Sequence, residues 1–596
     1  MDKRRIEEKA ITALKSILLQ SPFLEPYIES NDKTPSWDGT VFVYHNEDHN
    51  KANLIARVPV QVKGTERTFS KTATFPFSTA DLRNYYNDGG CLLFLVSGIT
   101  STNTGTIYYL DLQVFDLEKL LKNASHKKTI SIKMEVFPTD NETEIVTIFA
   151  NCAENRKKQS SFIGKELFDL DQLLSSGRSL SSLSLSTTCL GSGPDDVGRF
   201  ISSHQTYVYA KAEGIDIDIP VEKTSNLIVT RAINEKVIVK GKVYYPNYII
   251  EYKNGIPTIC IGKSISIIVD DQKRSLTIHF KPTGTLREQI LDASYFIAMV
   301  ESQEVELNNT RVPLNCREVD LVQYKKALKD YQDIQKVLDY FGVTEDLDVE
   351  SLSEKDRQNL KSLVEAIVHN KRLKLPKANG PVICGPYDVG NLSIWIWAIK
   401  QDSGDYRIEN FFSNHTISLF SKDDEELNHP IPVSQYLLLD KNAFLYASNI
   451  DFESIEKSIA IMNHHPDILD STNRLLLNIL LAYDLQKTKD MRLLDLADAI
   501  CKWISDDSDI VVPVYRLNQL QIKKRRAPLS NRDRIELIKL AEEGNKSEIR
   551  CGAFLLLDDS VEAQKCFDQL TKAEQEDFLT YPICSFGSLS IKNEKR

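Results

Sequence analysis

The sequence predicts a multidomain α+β protein whose periodicity changes along the chain. At 596 residues it is too long for one hydrophobic core, and its 42% hydrophobic and 26% charged residues are typical of globular proteins. Helical and strand-like patterns alternate over about the first 150 residues, period-two alternation dominates the middle, and helical periodicity returns towards the C-terminus. We therefore predict an N-terminal αβββαβ core, a central antiparallel β domain and a mostly helical C-terminal region.

The first region, assigned to residues 1–172, begins with a helix whose apolar side chains share one face. The run Cys91–Ser97 is continuously apolar, which is typical of a strand buried on both faces. The hydroxyl groups before Asp81 predict a helix start. The predicted elements are, in chain order, a helix at 3–20, strands at 40–44, 54–63 and 67–75, a helix at 78–87, strands at 91–97 and 106–112, a helix at 116–122, and a strand pair at 128–137 and 144–150.

Three further regions follow. Serine and glycine dominate residues 173–199, which predicts a linker or a long surface loop. Short alternating stretches with hairpin-type turns predict an antiparallel β domain over 200–315. Residues 316–596 are predicted to be mainly helical, with a β-leaning insert near 381–447. Ala563 and Phe567 match the packing step of helical-hairpin repeats, so both degenerate repeats and an irregular helical domain remain open.

Charge and cysteine usage exclude several classes of protein. The net charge of -11 gives no global basic signature, so any nucleic-acid contact must come from a local patch. The 10 cysteines are scattered singly without a CxxC pair, which argues against a zinc finger or a thioredoxin-like site. We see no signal-peptide pattern or apolar stretch of membrane-spanning length, and therefore expect a soluble cytoplasmic protein.

Three polar residues around a predicted hairpin point to a catalytic site. Asp38 opens one strand, and Gln61 and Lys63 end the next, two residues apart and therefore on the same face. This arrangement would place a carboxylate, an amide oxygen and an ammonium group around one point. The alternative interpretation is a surface hairpin with ordinary charges.

These residue types suit a divalent cation, Mg²⁺ or Mn²⁺, because such cations prefer carboxylate, carbonyl and water oxygens. Asp38 would be the anchoring ligand, Gln61 a weaker one through its amide oxygen, and the Val62 carbonyl a third. Lys63 would orient a water or offset charge on a phosphate. Glu7, at the edge of the apolar face of the first helix, would add a carboxylate, unless it is only a helix-start acid favoured by the dipole.

The order of these elements resembles the PD-(D/E)XK, restriction-endonuclease-like superfamily, and in particular its domains in bacterial antiphage effectors. The matching residues are Glu7, Asp38 in Trp-Asp-Gly, and the run Gln61-Val-Lys63. The helix beginning at Ala80 and the strand after Cys91 also fit. Gln61 stands where the family usually has an acid, a Q-x-K form similar to that of Mrr-like members. The resemblance covers about a fifth to a quarter of the chain.

The resemblance implies a metal-dependent nuclease that acts most often on DNA, with Asp38, Gln61, Lys63 and Glu7 in its site. We expect the later regions to sense a signal or to bind a protein partner, which includes self-association, and we expect no membrane contact. Gln61 removes one negative ligand, so a catalytically inactive scaffold is the first alternative. RNA is an alternative substrate.

Other candidates are weaker. The run Lys523–Arg526 is the densest basic segment and could grip phosphates, although an exposed loop is the expected alternative. The segment Lys371–Lys374 with Lys377 is similar. The His464-His465 pair predicts a helix boundary and lacks a metal partner at the right spacing. Trp395 and Trp397 are expected to share one face of a strand in core packing, the alternative being a base-stacking pocket.

Overall fold

The computed structural model describes most of the chain. The described residues are 2–30, 36–124, 127–175, 180–185, 187–188, 193–212, 217–271, 273–307, 310–316, 319–375, 379–413, 415–419, 430–505, 512–544 and 546–591. The chain divides into two compact units. The first unit comprises Met1–Phe280 with Glu306–Thr310, and the second comprises Lys281–Val305 with Arg311–Arg596.

The first unit combines helices with several sheets. Its elements are α1 (Lys3–Leu18), β1 (Leu24–Ile28), β2 (Gly39–Tyr44), β3 (Leu54–Gly64), β4 (Thr72–Ser78), α2 (Thr79–Asn87), β5 (Cys91–Val96), β6 (Ile107–Leu112), α3 (Val114–Ala124), β7 (Thr129–Val136), α4 (Glu142–Gln159), α5 (Leu170–Ser175), β8 (Leu180–Leu185), α6 (Pro194–Ser203), β9 (Thr206–Ala212), β10 (Ile219–Thr224), β11 (Val229–Ile233), β12 (Val237–Val239), β13 (Lys242–Tyr245), β14 (Tyr248–Lys253), β15 (Ile256–Ile261), β16 (Ile265–Asp270) and β17 (Ser275–Phe280).

A seven-stranded mixed sheet with the order β1-β2-β3-β5-β6-β7-β4 forms the centre of the first unit. β3 and β5 pair in parallel, whereas the neighbouring pairs are antiparallel. Every residue of β5 is buried, as its apolar sequence predicts. Leu92 and Phe94 pack in a core with α1 and α4, whereas Leu93 and Leu95 pack in a core with α2 and α3. The multidomain α+β prediction is thus confirmed at the level of fold class.

Three details of the first sheet differ from the sequence-based prediction. β1 was not predicted. β4 begins later than expected and pairs with β7 at the far edge of the sheet. Residues 144–150, expected to form a strand, lie in α4: the side chain of Asn141 accepts a hydrogen bond from the backbone N–H of Glu144 and caps the helix. The β-branched run in this segment favours a strand locally, but its apolar residues also recur at helical spacing and pack on the sheet.

The rest of the first unit is rich in antiparallel pairs. The sheets have the orders β10-β9-β8 and β11-β14-β15-β16-β17. β12 pairs with β13, and also with Glu306 and Leu307. The described part of the segment interpreted as a linker, 173–199, contains β8 and most of α6, because leucines spaced among the serines still supply a strand.

The second unit contains helices and a small β region. Its elements are α7 (Leu286–Ser302), α8 (Val322–Phe341), α9 (Glu354–Ile367), β20 (Val382–Val389), β21 (Leu392–Lys400), β22 (Tyr406–Asn410), β23 (Thr416–Leu419), β24 (Ile431–Ser434), α10 (Lys441–Tyr446), α11 (Phe452–Ala460), α12 (Pro466–Leu485), α13 (Met491–Ser505), α14 (Pro513–Arg526), α15 (Asn531–Glu543), α16 (Ser547–Leu556), α17 (Ser560–Phe567) and α18 (Lys572–Phe578). Two short strands, β18 (Glu304–Leu307) and β19 (Thr310–Pro313), precede α8.

The β-leaning insert is confirmed, because β20, β21 and β22 form an antiparallel sheet and β23 pairs with β24. The prediction for 200–315 is wrong at one point: α7 is a helix of 17 residues within the expected β domain. Thr285 and Glu288 form a capping box that begins this helix, which explains the departure from the β pattern. Among the described helices, none combines the length and the apolar character that crossing a membrane requires.

Gly39, in the Trp-Asp-Gly segment, lets β1 approach the start of β2. A methyl group added at Gly39 would lie 2.2 Å from the carbonyl oxygen of Tyr27 and 2.6 Å from the Cα of Ile28. Both atoms belong to the backbone of a strand, so they cannot move aside without disrupting the pairing. The glycine is therefore required by the packing of β1 on β2.

We expect Gly39→Ala to lower the free energy of unfolding by about 2–3 kcal/mol, since overpacking against backbone atoms forces the two strands apart. Urea denaturation of the full chain measures this change. Gly193→Ala is the matched control, because a methyl group there meets no atom within 4 Å. Equal stability losses in the two variants would contradict the close-packing explanation.

Candidate functional site

The predicted site residues lie where β2 begins and β3 ends. The backbone N–H of Asp38 donates to the carbonyl oxygen of Val60 at 3.0 Å, which fixes Asp38 immediately before β2. Gln61, Val62 and Lys63 belong to the part of β3 that extends beyond this pairing, and they pair in parallel with β5 instead. The side chain of Asp38 therefore faces the part of β3 that β2 leaves unpaired.

The Asp38 carboxylate is held by two donors from β3. The backbone N–H of Val62 donates to Oδ2 of Asp38 at 2.8 Å, and Nε2 of Gln61 donates to the same oxygen. Gln61 is only 4% exposed, and its Oε1 accepts a hydrogen bond from the phenol of Tyr85 at 3.2 Å. The amide is thus fixed at both ends inside the protein.

Burial raises the pKa of Asp38 above its ordinary value, because a desolvated carboxylate loses its hydration. The N–H of Val62, the Lys63 ammonium group and the amide of Gln61 each lower that pKa, and the negative charge of Glu7 raises it. The balance is a raised pKa. Lys63 and Glu7 therefore each lie within electrostatic range of Asp38.

Glu7 reaches the site because α1 packs closely over the end of β3. A methyl group at Gly64 would lie 2.7 Å from Cγ2 of Ile6, so the glycine next to Lys63 allows this approach. Glu7 is half-buried on this helix. Glu8 is exposed and forms a 3.7 Å ion pair with Arg4 on the same helix. Of the two acids, Glu7 is the one that acts on Asp38.

The oxygen atoms near Asp38 are of the kind that a divalent cation prefers. The N–H of Val62 points towards Asp38, and the carbonyl of the same residue lies on the same edge of the strand. Asp38, Glu7 and the Val62 carbonyl therefore offer hard oxygen ligands, which Mg²⁺ and Mn²⁺ prefer. Only two of these three ligands are carboxylates. Among the described residues we find no group of three or more His, Cys, Asp or Glu side chains that could hold a metal ion.

Sequence reasoning missed Tyr85. The residue is 1% exposed on the buried face of α2, and burial raises the pKa of its phenol. The only available signal was its position, three residues after Leu82 on the apolar face of the predicted helix. A tyrosine on such a face is usually explained by packing alone, so its contact with Gln61 became visible only in the fold.

Arg156 of α4 was also missed. It lies near the candidate site, where its guanidinium donates to the carbonyl oxygen of Asp88 at 2.6 Å and its central carbon lies 5.8 Å from the ring centroid of Trp37. Ser36 donates to the carboxylate of Asp88 from the other side. These contacts anchor the segment before Asp38 to α4 and to the end of α2.

The basic run Lys523–Arg526 is engaged in ion pairs. It forms the last turn of α14, so the expected exposed loop is wrong. Each of the four cations contacts a carboxylate from another segment: these partners are Asp533, Asp558, Asp484 and Asp495. Arg525 also donates to the carbonyl oxygen of Pro582 at 2.8 Å. The helix continues through the run because its charges are neutralised locally.

The remaining candidates have structural roles. His464 stacks on Trp503 and hydrogen-bonds its carbonyl oxygen, and His465 caps α12. Trp395 and Trp397 are buried on β21 against Phe411, as expected of core packing. Lys371 forms an ion pair with Glu365, and Lys377 lies outside the described residues.

Compared with protein-family models, with curated proteins and with solved structures, the chain gives no match. The interpretation of the site therefore depends on its residues and on their geometry.

The raised pKa of Asp38 predicts a pH-dependent stability difference. A carboxyl group whose pKa is higher in the folded than in the unfolded state favours folding at low pH, and loses that contribution as pH rises through the folded-state pKa. Asp38→Asn should therefore raise the free energy of unfolding at pH 7, and the gain should shrink as the pH falls towards the ordinary aspartate range. Urea denaturation at several pH values measures it. Asp48→Asn, at an exposed position, serves as the control; a less stable Asp38→Asn protein at neutral pH would contradict the expectation.

Arg525 should contribute to stability rather than to nucleic-acid binding. Its side chain is only 3% exposed and pairs with Asp484 of α12. We expect Arg525→Met to lower the free energy of unfolding by about 3 kcal/mol, because Asp484 would lose its partner in a poorly hydrated position. Arg532→Met, at an exposed position of α15, should change it by less than about 0.5 kcal/mol. Similar losses in both variants would argue against a structural role specific to Arg525.

Proposed function

We propose that the protein is a metal-dependent nuclease with its site at Asp38, Gln61, Lys63 and Glu7. One observation carries the proposal: a desolvated aspartate at the start of β2 is bonded to the Gln61-Val62 segment and lies within electrostatic range of Lys63 and Glu7. A carboxyl group with a perturbed pKa beside a cation is typical of catalytic sites.

The order of elements supports the same proposal. After α1, the strands β1, β2, β3 and β4 precede α2, and β5 follows it. This order places β2 beside β3 and β3 parallel to β5, with Asp38 and Lys63 at neighbouring strand ends. Compared with the sequence-based assignment, which has three strands between the two helices, the chain has four, because β1 precedes the three predicted strands.

Each residue of the proposed site would have a separate role in the reaction. Asp38, Glu7 and the Val62 carbonyl would hold Mg²⁺ or Mn²⁺, with Gln61 as a weaker ligand. A divalent cation in such a site polarises a phosphate oxygen and makes a bound water more acidic. The Lys63 ammonium group would offset the charge that develops on the phosphate. Because Gln61 is neutral, we expect weaker cation affinity than in a site with a third carboxylate.

We place this activity in a cytoplasmic antiphage effector that cleaves DNA. The remainder of the chain would sense a signal or bind a protein partner. The net charge of -11 supports this assignment, since it gives a free nuclease weak intrinsic attraction to nucleic acid until it is activated. RNA is the alternative substrate, because a metal site of this kind acts on the phosphate and does not read the sugar.

A non-catalytic scaffold is the second candidate. The observation that favours it is the orientation of Gln61, whose amide N–H₂ rather than its oxygen faces Asp38. In this orientation the segment holds Asp38 as a structural hydrogen-bond acceptor. The scaffold would then act through its other regions and would not need Lys63.

Cleavage assays test the proposal. We expect the purified protein to cleave plasmid DNA with Mg²⁺ or Mn²⁺ and to be inactive with EDTA, with RNA as a parallel substrate. Asp38→Ala and Lys63→Ala should each reduce cleavage by about 10²-fold or more, since each removes a charge that stabilises the transition state. Gel-based initial rates provide the measurement.

Two exposed residues of the β2–β3 hairpin give matched controls. Asp48→Ala and Lys51→Ala remove the same charges outside the site and should cleave at the wild-type rate. Glu7→Ala and Glu8→Ala form a second pair, in which only the first should be impaired. Activity retained by both Asp38→Ala and Lys63→Ala would overturn the nuclease assignment. The scaffold instead predicts no cleavage with any metal, together with unchanged phage protection in cells that carry these two variants.

A further inference from the structure

Tyr85 touches the candidate metal site without belonging to its predicted ligands. Its phenol donates to Oε1 of Gln61 at 3.2 Å, and Nε2 of Gln61 donates to Oδ2 of Asp38. Tyr85 and Gln61 are 1% and 4% exposed, so water does not compete for these bonds. The three side chains form a chain of hydrogen bonds that runs from the phenol to the carboxylate.

The direction of this chain keeps the amide oxygen of Gln61 away from Asp38. A primary amide has an acceptor at one end and donors at the other, so while its N–H₂ faces Asp38 its oxygen faces Tyr85. A cation shared by the two side chains needs an oxygen from each, because Mg²⁺ and Mn²⁺ bind oxygen ligands. Gln61 can present its oxygen only if the amide turns by half a revolution.

A phenol is suited to both orientations of the amide, because its hydroxyl group donates or accepts. It donates to Oε1 in the structure, and it would accept from Nε2 once the amide has turned. Without such a partner the turned amide would leave a buried N–H unsatisfied, which is expensive. Tyr85 therefore removes a penalty that would otherwise oppose the rotation.

We propose that Tyr85 is a positioning residue for a cation-coupled rotation of Gln61, donating to the amide in the cation-free protein and accepting from it when a divalent cation binds beside Asp38. This inference rests on the proposed function only for the existence of the cation site. It explains how a neutral glutamine serves at this position: the hydrogen bond to Asp38 occupies the amide until a cation displaces it.

Mn²⁺ binding to the full chain, measured by titration calorimetry, tests the proposal without any substrate. We expect Tyr85→Phe to weaken Mn²⁺ binding about 3- to 10-fold, because the buried N–H that the turned amide leaves unpaired costs more than the amide oxygen left unpaired before it turns. The matched control is Tyr108→Phe. Tyr108 is fully buried in the same core as Tyr85 and donates to the carbonyl oxygen of Ser70 at 2.8 Å, so it loses a comparable bond away from Asp38 and should bind Mn²⁺ as the wild type does.

The Gln61→Glu background makes the test specific to the rotation. A carboxylate has acceptors at both positions and needs no rotation, so Tyr85→Phe should no longer weaken Mn²⁺ binding there. Gln61→Glu alone should bind Mn²⁺ more tightly than the wild type, because it adds a negative ligand.

If the Tyr85→Phe protein does not fold, NMR spectroscopy of the wild-type protein still tests the proposal. In wild-type protein labelled with ¹⁵N-glutamine, the side-chain signal that disappears in Gln61→Glu belongs to Gln61. We expect Mg²⁺ to shift this signal, as the amide exchanges a carboxylate partner for a phenol.

The outcomes separate the rotation from the cation site. Three results would each overturn the rotation and leave the cation site standing. The first is a Gln61 signal that Mg²⁺ does not shift, and the second is equal Mn²⁺ affinity of Tyr85→Phe and the wild type. The third is the same loss of Mn²⁺ affinity when Tyr85→Phe is introduced into the Gln61→Glu background. Absence of Mn²⁺ binding, or binding unaffected by Asp38→Ala, would overturn the rotation together with the proposed nuclease.

Discussion

The parallel pairing of β3 with β5 is the constraint on which the site depends. Parallel neighbours cannot be joined by a tight turn, so the chain leaves β3, forms β4 at the far edge of the sheet and returns through α2. Helix α2 therefore packs on the face of the sheet that carries Gln61 and Leu93, and Tyr85 of this helix hydrogen-bonds the amide of Gln61. β2 ends its pairing before Gln61, which leaves that stretch of β3 open to Asp38.

Burial of the Asp38 side chain opposes the negative charge of its carboxylate. Asp38 loses hydration, which raises its pKa, and two donors from β3 recover only part of that loss. A third acid at position 61 would add repulsion to the pair formed by Asp38 and Glu7. The neutral Gln61 avoids that repulsion and supplies a donor instead. A neutral residue at position 61 would therefore weaken a metal site and stabilise the protein without a metal, and this is why the catalytic and scaffold interpretations share one set of contacts.

The sequence was informative where a local pattern and the tertiary environment agree. Periodicity located α1, β2, β3, α2 and β5 closely. The predicted neighbourhood of Asp38 includes Gln61, which bonds it, and Lys63, which lies within electrostatic range. The prediction failed where packing overrides the local preference: residues 144–150 have a β-branched composition but are capped as a helix by Asn141. Contacts between distant segments leave no local signal, so Tyr85, the carboxylate partners of the basic run and the close approach at Gly64 became evident only in the fold.

The ion pairs of the basic run change the electrostatic argument for nucleic-acid binding. A lysine or arginine attracts a phosphate only to the extent that its charge is not already compensated, and each cation of Lys523–Arg526 has a carboxylate partner. Since the whole chain is acidic, attraction to a polyanion would have to come from a local patch outside this run. At the proposed site, Lys63 offsets only part of the charge of Asp38 and Glu7. A cation bound there would reverse the local sign. If the proposed nuclease site is correct, cation binding and phosphate binding would be coupled, because the charge of the cation would attract the phosphate as well as polarise it.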